Sequence, residues 1–436
     1  MPLRTRVRLI ALPLAFTAVL AQVTITPAQA DPSRTSATRT TLPVDHPNTT
    51  TTPGEAVTVL PPPGSSSAVR TRDTPRTAGT ALQGAGDVLD AQTTEVFLAP
   101  GQRLKVPAKA WRMLYRSTSA TGAAVPVSGT LIVPKLPYLG KRPILGYAAG
   151  THGLGDQCAP SAQMGRGTDL ELALISLALL RGWAVAVTDY EGLGTAGDHT
   201  YMVGLSQGRA VLDSIRAAAR VPGAGLSATA PTLVMGYSQG GASAAWAAQL
   251  HPSYAPELRL LGVAAGGVPA DLLRVARGLD GTADFGLTAA AGIGFNAAYP
   301  ELALDSYLTA EGSRLFGDVR DDCLGDITRK LANRRLADLT TADVLDLPDW
   351  RARLAENRLG GTAPRVPMFL YHANSDEIIP FAVGSGLRRQ YCAGGTKVFW
   401  TPLPVGNHTF GAVQGAPLAV EWLAHRVFGL PVLSNC

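Results

Sequence analysis

Pro231-Thr232-Leu233-Val234-Met235-Gly236-Tyr237-Ser238-Gln239-Gly240-Gly241 carries an apolar run into a serine bracketed by glycines at 236 and 240. The run has the length and composition of a buried strand. Ala242, Ser243, Ala244 and Ala245 follow, side chains short enough for a helix to lie close to a sheet. G-x-S-x-G works as a sharp strand-to-helix turn that exposes the serine hydroxyl. A second copy, Gly204-Leu205-Ser206-Gln207-Gly208, follows loop-like residues and runs straight into a helical pattern. Its local context makes Ser206 a helix-start residue and leaves Ser238 as the candidate nucleophile.

Outward from this turn the chain alternates. Strands are expected at 125–134, 143–149, 183–188, 231–235, 258–264, 367–372 and 397–401. Helical patterns fall at 170–180, around Val211, Leu212, Ile215 and Ala218, and around Val420, Leu423 and Val427. Strands alternating with helices define an α/β protein, a mostly parallel sheet flanked by helices. Ligands of such sheets bind beyond the carboxyl ends of the strands. Residues 268–345 break the alternation and are expected to form an inserted helical cap or lid over those ends.

A serine hydroxyl needs a base, and the base needs an orienting acid. In this architecture the chain order is serine, acid, histidine. Of the seven histidines, His408 and His425 lie beyond the serine with an acid-bearing loop between. His425 falls within the last helical pattern. His408 follows the strand at 397–401 and is the candidate base. Asp376, in the loop after 367–372, is the candidate acid, with Glu377 as the alternative. Asp376 could equally serve as a helix N-cap. An oxyanion hole is expected from the backbone N–H of Gln239 and from the loop Gly150-Thr151-His152-Gly153, represented by Thr151. Asp156 lies close enough to orient that loop.

The chain has 436 residues, 46% hydrophobic and 16% charged, ample for one large core. Arg4, Arg6 and Arg8, an apolar stretch at 9–20 and Ala28-Gln29-Ala30 read as an export signal over residues 1–30. Between Asp31 and Thr80, 26 of 50 residues are Thr, Pro or Ser, too few apolar groups to offset chain entropy. Residues 31–86 are therefore expected to be a disordered, extended linker or wall-spanning stalk, or alternatively a cleaved pro-segment, ahead of a domain at 87–436. No basic run is interleaved with aromatics, so nucleic acid is not an expected partner. No metal-binding spacing or cofactor motif occurs. Export makes disulfides the expectation for Cys158, Cys323, Cys392 and Cys436. Three pairings are possible. The map favours Cys158–Cys323, fixing cap to core, and Cys392–Cys436, fastening the C-terminus.

Gly150-Thr151-His152-Gly153 with Cys158-Ala159-Pro160-Ser161, then Thr188-Asp189-Tyr190-Glu191-Gly192, then Gly236-Tyr237-Ser238-Gln239-Gly240-Gly241, resembles the secretory lipase family. The resemblance covers residues 87–436. It implies an α/β-hydrolase core, a helical lid, a triad at Ser238, Asp376 and His408, and an acidic residue near the oxyanion loop, for which Asp156 is the nearest candidate. The expected activity is secreted hydrolysis of carboxylic esters, including acylglycerols, with contact at lipid aggregates. An acyltransferase, a peptidase or a non-catalytic exported binding module is the alternative.

Overall fold

The computed structural model describes residues 84–436. The expected export signal and nearly all of the expected linker lie outside the described residues. The strands are β1 (Val88–Thr94), β2 (Phe97–Ala99), β3 (Arg103–Lys105), β4 (Ala108–Thr118), β5 (Ala124–Pro134), β6 (Ile144–Ala148), β7 (Ala184–Tyr190), β8 (Pro231–Tyr237), β9 (Arg259–Gly266), β10 (Met368–Ala373) and β11 (Val398–Leu403). The helices are α1 (Pro160–Arg166), α2 (Leu172–Leu180), α3 (Gly204–Ala218), α4 (Gln239–Tyr254), α5 (Leu272–Leu279), α6 (Phe285–Ala298), α7 (Ala310–Val319), α8 (Leu324–Leu331), α9 (Leu336–Leu339), α10 (Pro348–Glu356), α11 (Phe381–Ala393) and α12 (His408–Val427).

Nine strands form one sheet in the order β1-β4-β5-β7-β6-β8-β9-β10-β11. From β7 to β11 all pairs are parallel. From β1 to β7 they are antiparallel, so the sheet is mixed. The antiparallel edge begins with β1 and β4, for which the sequence reading set no strands. In β4, buried Met113 and Tyr115 alternate with Arg112 and Arg116, which are less buried, as expected for a strand with one wetter face.

Register fixes the two faces. Gly146, Val234 and Val263 are aligned across β6, β8 and β9, so they share a face. A Cβ on Gly146 would lie 2.8 Å from Ile215 of α3, which places α3 there. Gly262 points the other way, and its Cβ would meet Trp422 and Arg426 of α12. The parallel strands Met368–Ala373, Ala184–Tyr190 and Ile144–Ala148 are buried at every position, as sheets covered on both sides require.

Six helices, α5 to α10, interrupt the alternation between β9 and β10. They run to Glu356, past the expected limit at 345. The Gly204–Gly208 copy of G-x-S-x-G opens α3, and a packing constraint accounts for its glycines. A Cβ on Gly204 would fall 1.9 Å from Trp246 Nε1 of α4, and one on Gly208 2.8 Å from Trp246 Cβ. Asn357 Oδ1, from beyond α10, accepts the Gly204 N–H at 2.8 Å and so caps α3. Gly204→Ala is therefore expected to cost about 1–3 kcal/mol through overpacking. Gly317 on α7 has open space around its Cβ direction. Gly317→Ala is expected to gain about 0.4–1 kcal/mol. Urea unfolding midpoints of the two variants check both signs.

Candidate active site

The turn after β8 is built by close approach. A Cβ on Gly236 would lie 2.2 Å from the Gly240 carbonyl oxygen, and one on Gly240 2.0 Å from that of Ala148. Only glycine fits at either place. Between them Ser238 has φ 58° and ψ −121°, a conformation disfavoured for a side-chain-bearing residue. Its N–H donates to the Gly266 carbonyl at 3.0 Å, and its carbonyl accepts from Ala242 N–H at 2.9 Å, starting α4. Ser238 is half-buried and lines a cavity.

Asp376 and His408 meet at the same end of the sheet. His408 Nδ1–H donates to Asp376 Oδ2 at 2.7 Å. Asp376 Oδ1 accepts from the backbone N–H groups of Ile378 and Ile379, at 3.1 and 2.7 Å. The N-cap-like role and the histidine contact thus fall on different oxygens of one carboxylate. Glu377 accepts the His408 backbone N–H at 2.9 Å. His408 opens α12, with Asn407 capping the helix. The Tyr237 hydroxyl donates to the His408 carbonyl at 2.8 Å, and the two rings lie 5.0 Å apart. The imidazole is thereby held beside the residue that precedes Ser238. His425 pairs instead with Glu421 one helical turn away, at 3.2 Å.

His372 is a participant that the sequence reading missed. It is fully buried, donates from Nε2 to the Ile379 carbonyl at 2.9 Å, and lies 3.3 Å from Asp376 Oδ2. Burial would raise the Asp376 pKa, but the contacts with His372 and His408 outweigh it and hold the carboxyl well below the usual range. The sequence signal was an i, i+4 pair of His372 and Asp376 at a strand end.

The loop after β6 is fixed by buried charge. Glu171 Oε2 accepts the Gly150 N–H at 2.9 Å. His152 lies 3.5 Å from Asp169, and its Nδ1 is 2.9 Å from the Gly150 carbonyl. Burial alone would lower the His152 pKa, but Asp169 and Glu171 reverse this and hold it up at about 9. Burial pushes Glu171 up to about 7. Thr151 Oγ1 is bonded to the Tyr201 hydroxyl at 2.8 Å. Asp156 is exposed and accepts the Gly194 N–H at 2.8 Å, which ties it to the loop after β7. Cys158 is joined to Cys323 and Cys392 to Cys436. Around the first bridge, Leu154 N–H donates to the Asp322 carbonyl at 2.9 Å, and Leu324 N–H to that of His152 at 2.9 Å. The inserted helices are thus strapped to the β6 loop.

The cavity is almost wholly apolar. Ser238 and Gln239 line it from the core, Ile378 and Ile379 from the loop of Asp376, and Leu287 and Phe295 from α6. Among the described residues, no three His, Cys, Asp or Glu side chains are grouped to hold a metal ion. Among them, too, no helix is long and apolar enough to cross a membrane.

A mixed sheet with this strand order, a strained serine turn after β8 and a His–Asp pair after β10 and β11 define the α/β-hydrolase class. Within that class the chain belongs to the family described as Secretory lipase, whose profile matches residues 159–435. One relative, a probable inactive lipase of Mycobacterium tuberculosis, is 30% identical over 79% of each chain. A secreted triacylglycerol lipase of Malassezia globosa is 28% identical over 80% of this chain and 77% of its own. The closed state of Candida antarctica lipase A has a TM-score of 0.72 at 23% identity, covering 80% of this chain and 84% of its own. A rice cell wall degrading esterase of Xanthomonas oryzae has a TM-score of 0.64 at 20% identity, covering 80% and 99%.

The buried pair of His152 and Asp169 makes stability pH-dependent. The unfolded chain releases the His152 proton near 6.5 and the folded chain near 9. Between these values the folded state holds the extra proton, so stability falls as pH rises through the window and is complete below it. Chemical unfolding at pH 6.5 and 9.5 is expected to show this loss in the wild type and a smaller one in His152→Gln. Equal losses in both proteins would contradict the assignment.

Proposed function

We propose that this chain is an exported serine hydrolase that cleaves carboxylic esters of lipids. The observation that carries the reading is Ser238, in its strained turn, at the wall of an apolar cavity roofed by the inserted helices. Such a wall suits an acyl chain and offers little to a charged or strongly polar substrate. Membership of the secretory lipase family supports lipid esters as the substrate class. The expected signal at 1–30 and the two disulfides support an extracellular or wall-associated site of action.

In the proposed reaction His408 removes the Ser238 proton as Oγ attacks the ester carbonyl carbon. The new C–O bond creates a tetrahedral oxyanion, received by the N–H of Gln239 and an N–H of the Gly150–Gly153 loop. Asp376, held ionised, fixes the imidazole tautomer and stabilises the imidazolium. The intermediate collapses, and the departing alcohol takes the proton from His408. Water, deprotonated by the same imidazole, then attacks the acyl-serine; Ser238 Oγ leaves with the proton returned by His408, and the carboxylic acid is released. An alcohol in place of water would make the reaction an acyl transfer. The inactive label on the Mycobacterium tuberculosis relative favours the non-catalytic binding module as a second reading. The presence of Ser238, Asp376 and His408 in one chain order weighs against it.

Ser238→Ala is expected to lower hydrolysis of p-nitrophenyl esters at least about 10⁴-fold. It is also expected to abolish labelling by a fluorophosphonate probe, which Ser206→Ala retains. Labelling that followed Ser206 instead would reverse the assignment. A wild-type chain that neither labels nor turns over any acyl length would favour the binding module.

A further inference from the structure

The two arms of the proposed oxyanion hole sit on separate loops, after β6 and after β8. Their donors must converge on one oxygen to within a few tenths of an ångström. A third loop, between β7 and α3, bonds to both arms. We propose that this loop, residues 191–203 with Tyr190 at the end of β7, is a brace that fixes the oxyanion arms against each other, with His199 and Tyr201 as its positioning residues. The inference rests on Ser238 being the nucleophile.

His199 takes the β8 arm. Its Nδ1 lies 2.9 Å from the Glu191 carbonyl, an acceptor only, so Nδ1 carries the hydrogen. Nε2 is then a lone pair, and Gln239 Nε2–H donates to it at 3.2 Å. Gln239 is 2% exposed, and its own backbone N–H is the proposed donor. Anchoring its side chain fixes the first turn of α4. Burial pushes the His199 pKa down to about 4, which keeps this tautomer neutral across the range where ester hydrolysis is assayed.

Tyr201 and Tyr190 take the β6 arm. The Tyr201 hydroxyl is bonded to Thr151 Oγ1 at 2.8 Å. The Tyr190 hydroxyl donates to the Ala149 carbonyl at 2.8 Å, at the root of the same loop. The brace is itself rigid. Tyr201 N–H donates to the His199 carbonyl at 2.7 Å. The His199 ring stacks on Tyr190 and tilts against Tyr201, with centroids 6.1 and 5.9 Å apart.

The inserted helices rest on the brace from above. Arg320 pairs with Asp198. Gly294 of α6 comes so close to the Tyr201 backbone that a Cβ there would lie 2.4 Å from it. Tyr201 also lines the cavity with Ser238 and Gln239, so the brace faces the reacting centre.

The test compares Tyr201→Phe and His199→Phe with wild type and Ser238→Ala. The first keeps the ring and removes only the hydroxyl, so it remains readable if the second does not fold. Each variant is assayed on a p-nitrophenyl ester and inhibited with a trifluoromethyl ketone of the same chain length, which mimics the tetrahedral intermediate. A loosened oxyanion hole lowers kcat by about tenfold or more. The expected result adds a parallel loss of ketone affinity, with KM within about twofold of wild type. A merely structural role would not separate ketone affinity from KM. Values of kcat and ketone affinity within about twofold of wild type in the folded variants, with Ser238→Ala inactive, would overturn the brace alone. Full turnover by Ser238→Ala would overturn the nucleophile and the brace with it.

Discussion

The closeness of the β8–α4 turn to the end of β6 is the constraint on which the site depends. Gly240 rests on the Ala148 carbonyl, Gly236 rests on Gly240, and Gly241 rests on Gly266. Three strand ends are thereby drawn together with no side chain between them. That contact forces the strained backbone of Ser238, and the packing around it has to supply the compensating energy. Ala242, Ser243, Ala244 and Ala245 supply part of it, since their small side chains let α4 lie deep, buried from Gln239 to Gln249.

Buried charge then locates the loops that the turn leaves free. Asp189, at the end of β7, accepts from Ser128 Oγ at 2.7 Å, Ser161 Oγ at 2.6 Å and Ser161 N–H at 2.8 Å. Burial raises its pKa, and these three donors oppose the shift. The donors offset only part of the cost of burying this carboxylate, and removing any of them leaves a buried oxygen unpaired. The same pattern recurs at Asp169 with His152 and at Asp376 with two histidines. Each pins one strand-end loop, so the polar groups of this fold specify loop position more than they add stability.

What could be read from the sequence follows from this division. Ser238, Asp376 and His408 obey local rules of turn, strand end and chain order, and sequence reading suffices to nominate them. The motifs Thr188–Gly192 and Cys158–Ser161 were visible as strings, but the bond from Asp189 to Ser161 that joins them is a tertiary fact. His199 meets Gln239 across 40 residues, and Tyr201 meets Thr151 across 50. No periodicity carries such a pairing. The same holds for the Gly204-Leu205-Ser206-Gln207-Gly208 copy, whose glycines serve Trp246, a residue on another helix. The antiparallel edge escaped for a different reason. Polar side chains interrupt β1 and the wetter face of β4, so neither gives the apolar run of a central strand.

The straps between the inserted helices and the core limit how the cavity can open. Asp322, Cys323 and Leu324 are joined to the β6 loop by backbone hydrogen bonds and a disulfide. A rigid-body swing of α5 to α10 would tear the loop that carries Thr151. The start of α8 and the β6 loop therefore hold their positions together. Helix α5 is two-faced: Leu272, Val275 and Leu279 face the cavity, and Arg274 and Gly278 face solvent, as does Arg277, which pairs with Asp343 and Asp346. Its apolar stripe thereby closes one wall of the cavity. The bridge at Cys158–Cys323 thus fastens the start of α8 to the β6 loop, while α5 is held to the rest of the insertion by the ion pairs of Arg277 with Asp343 and Asp346.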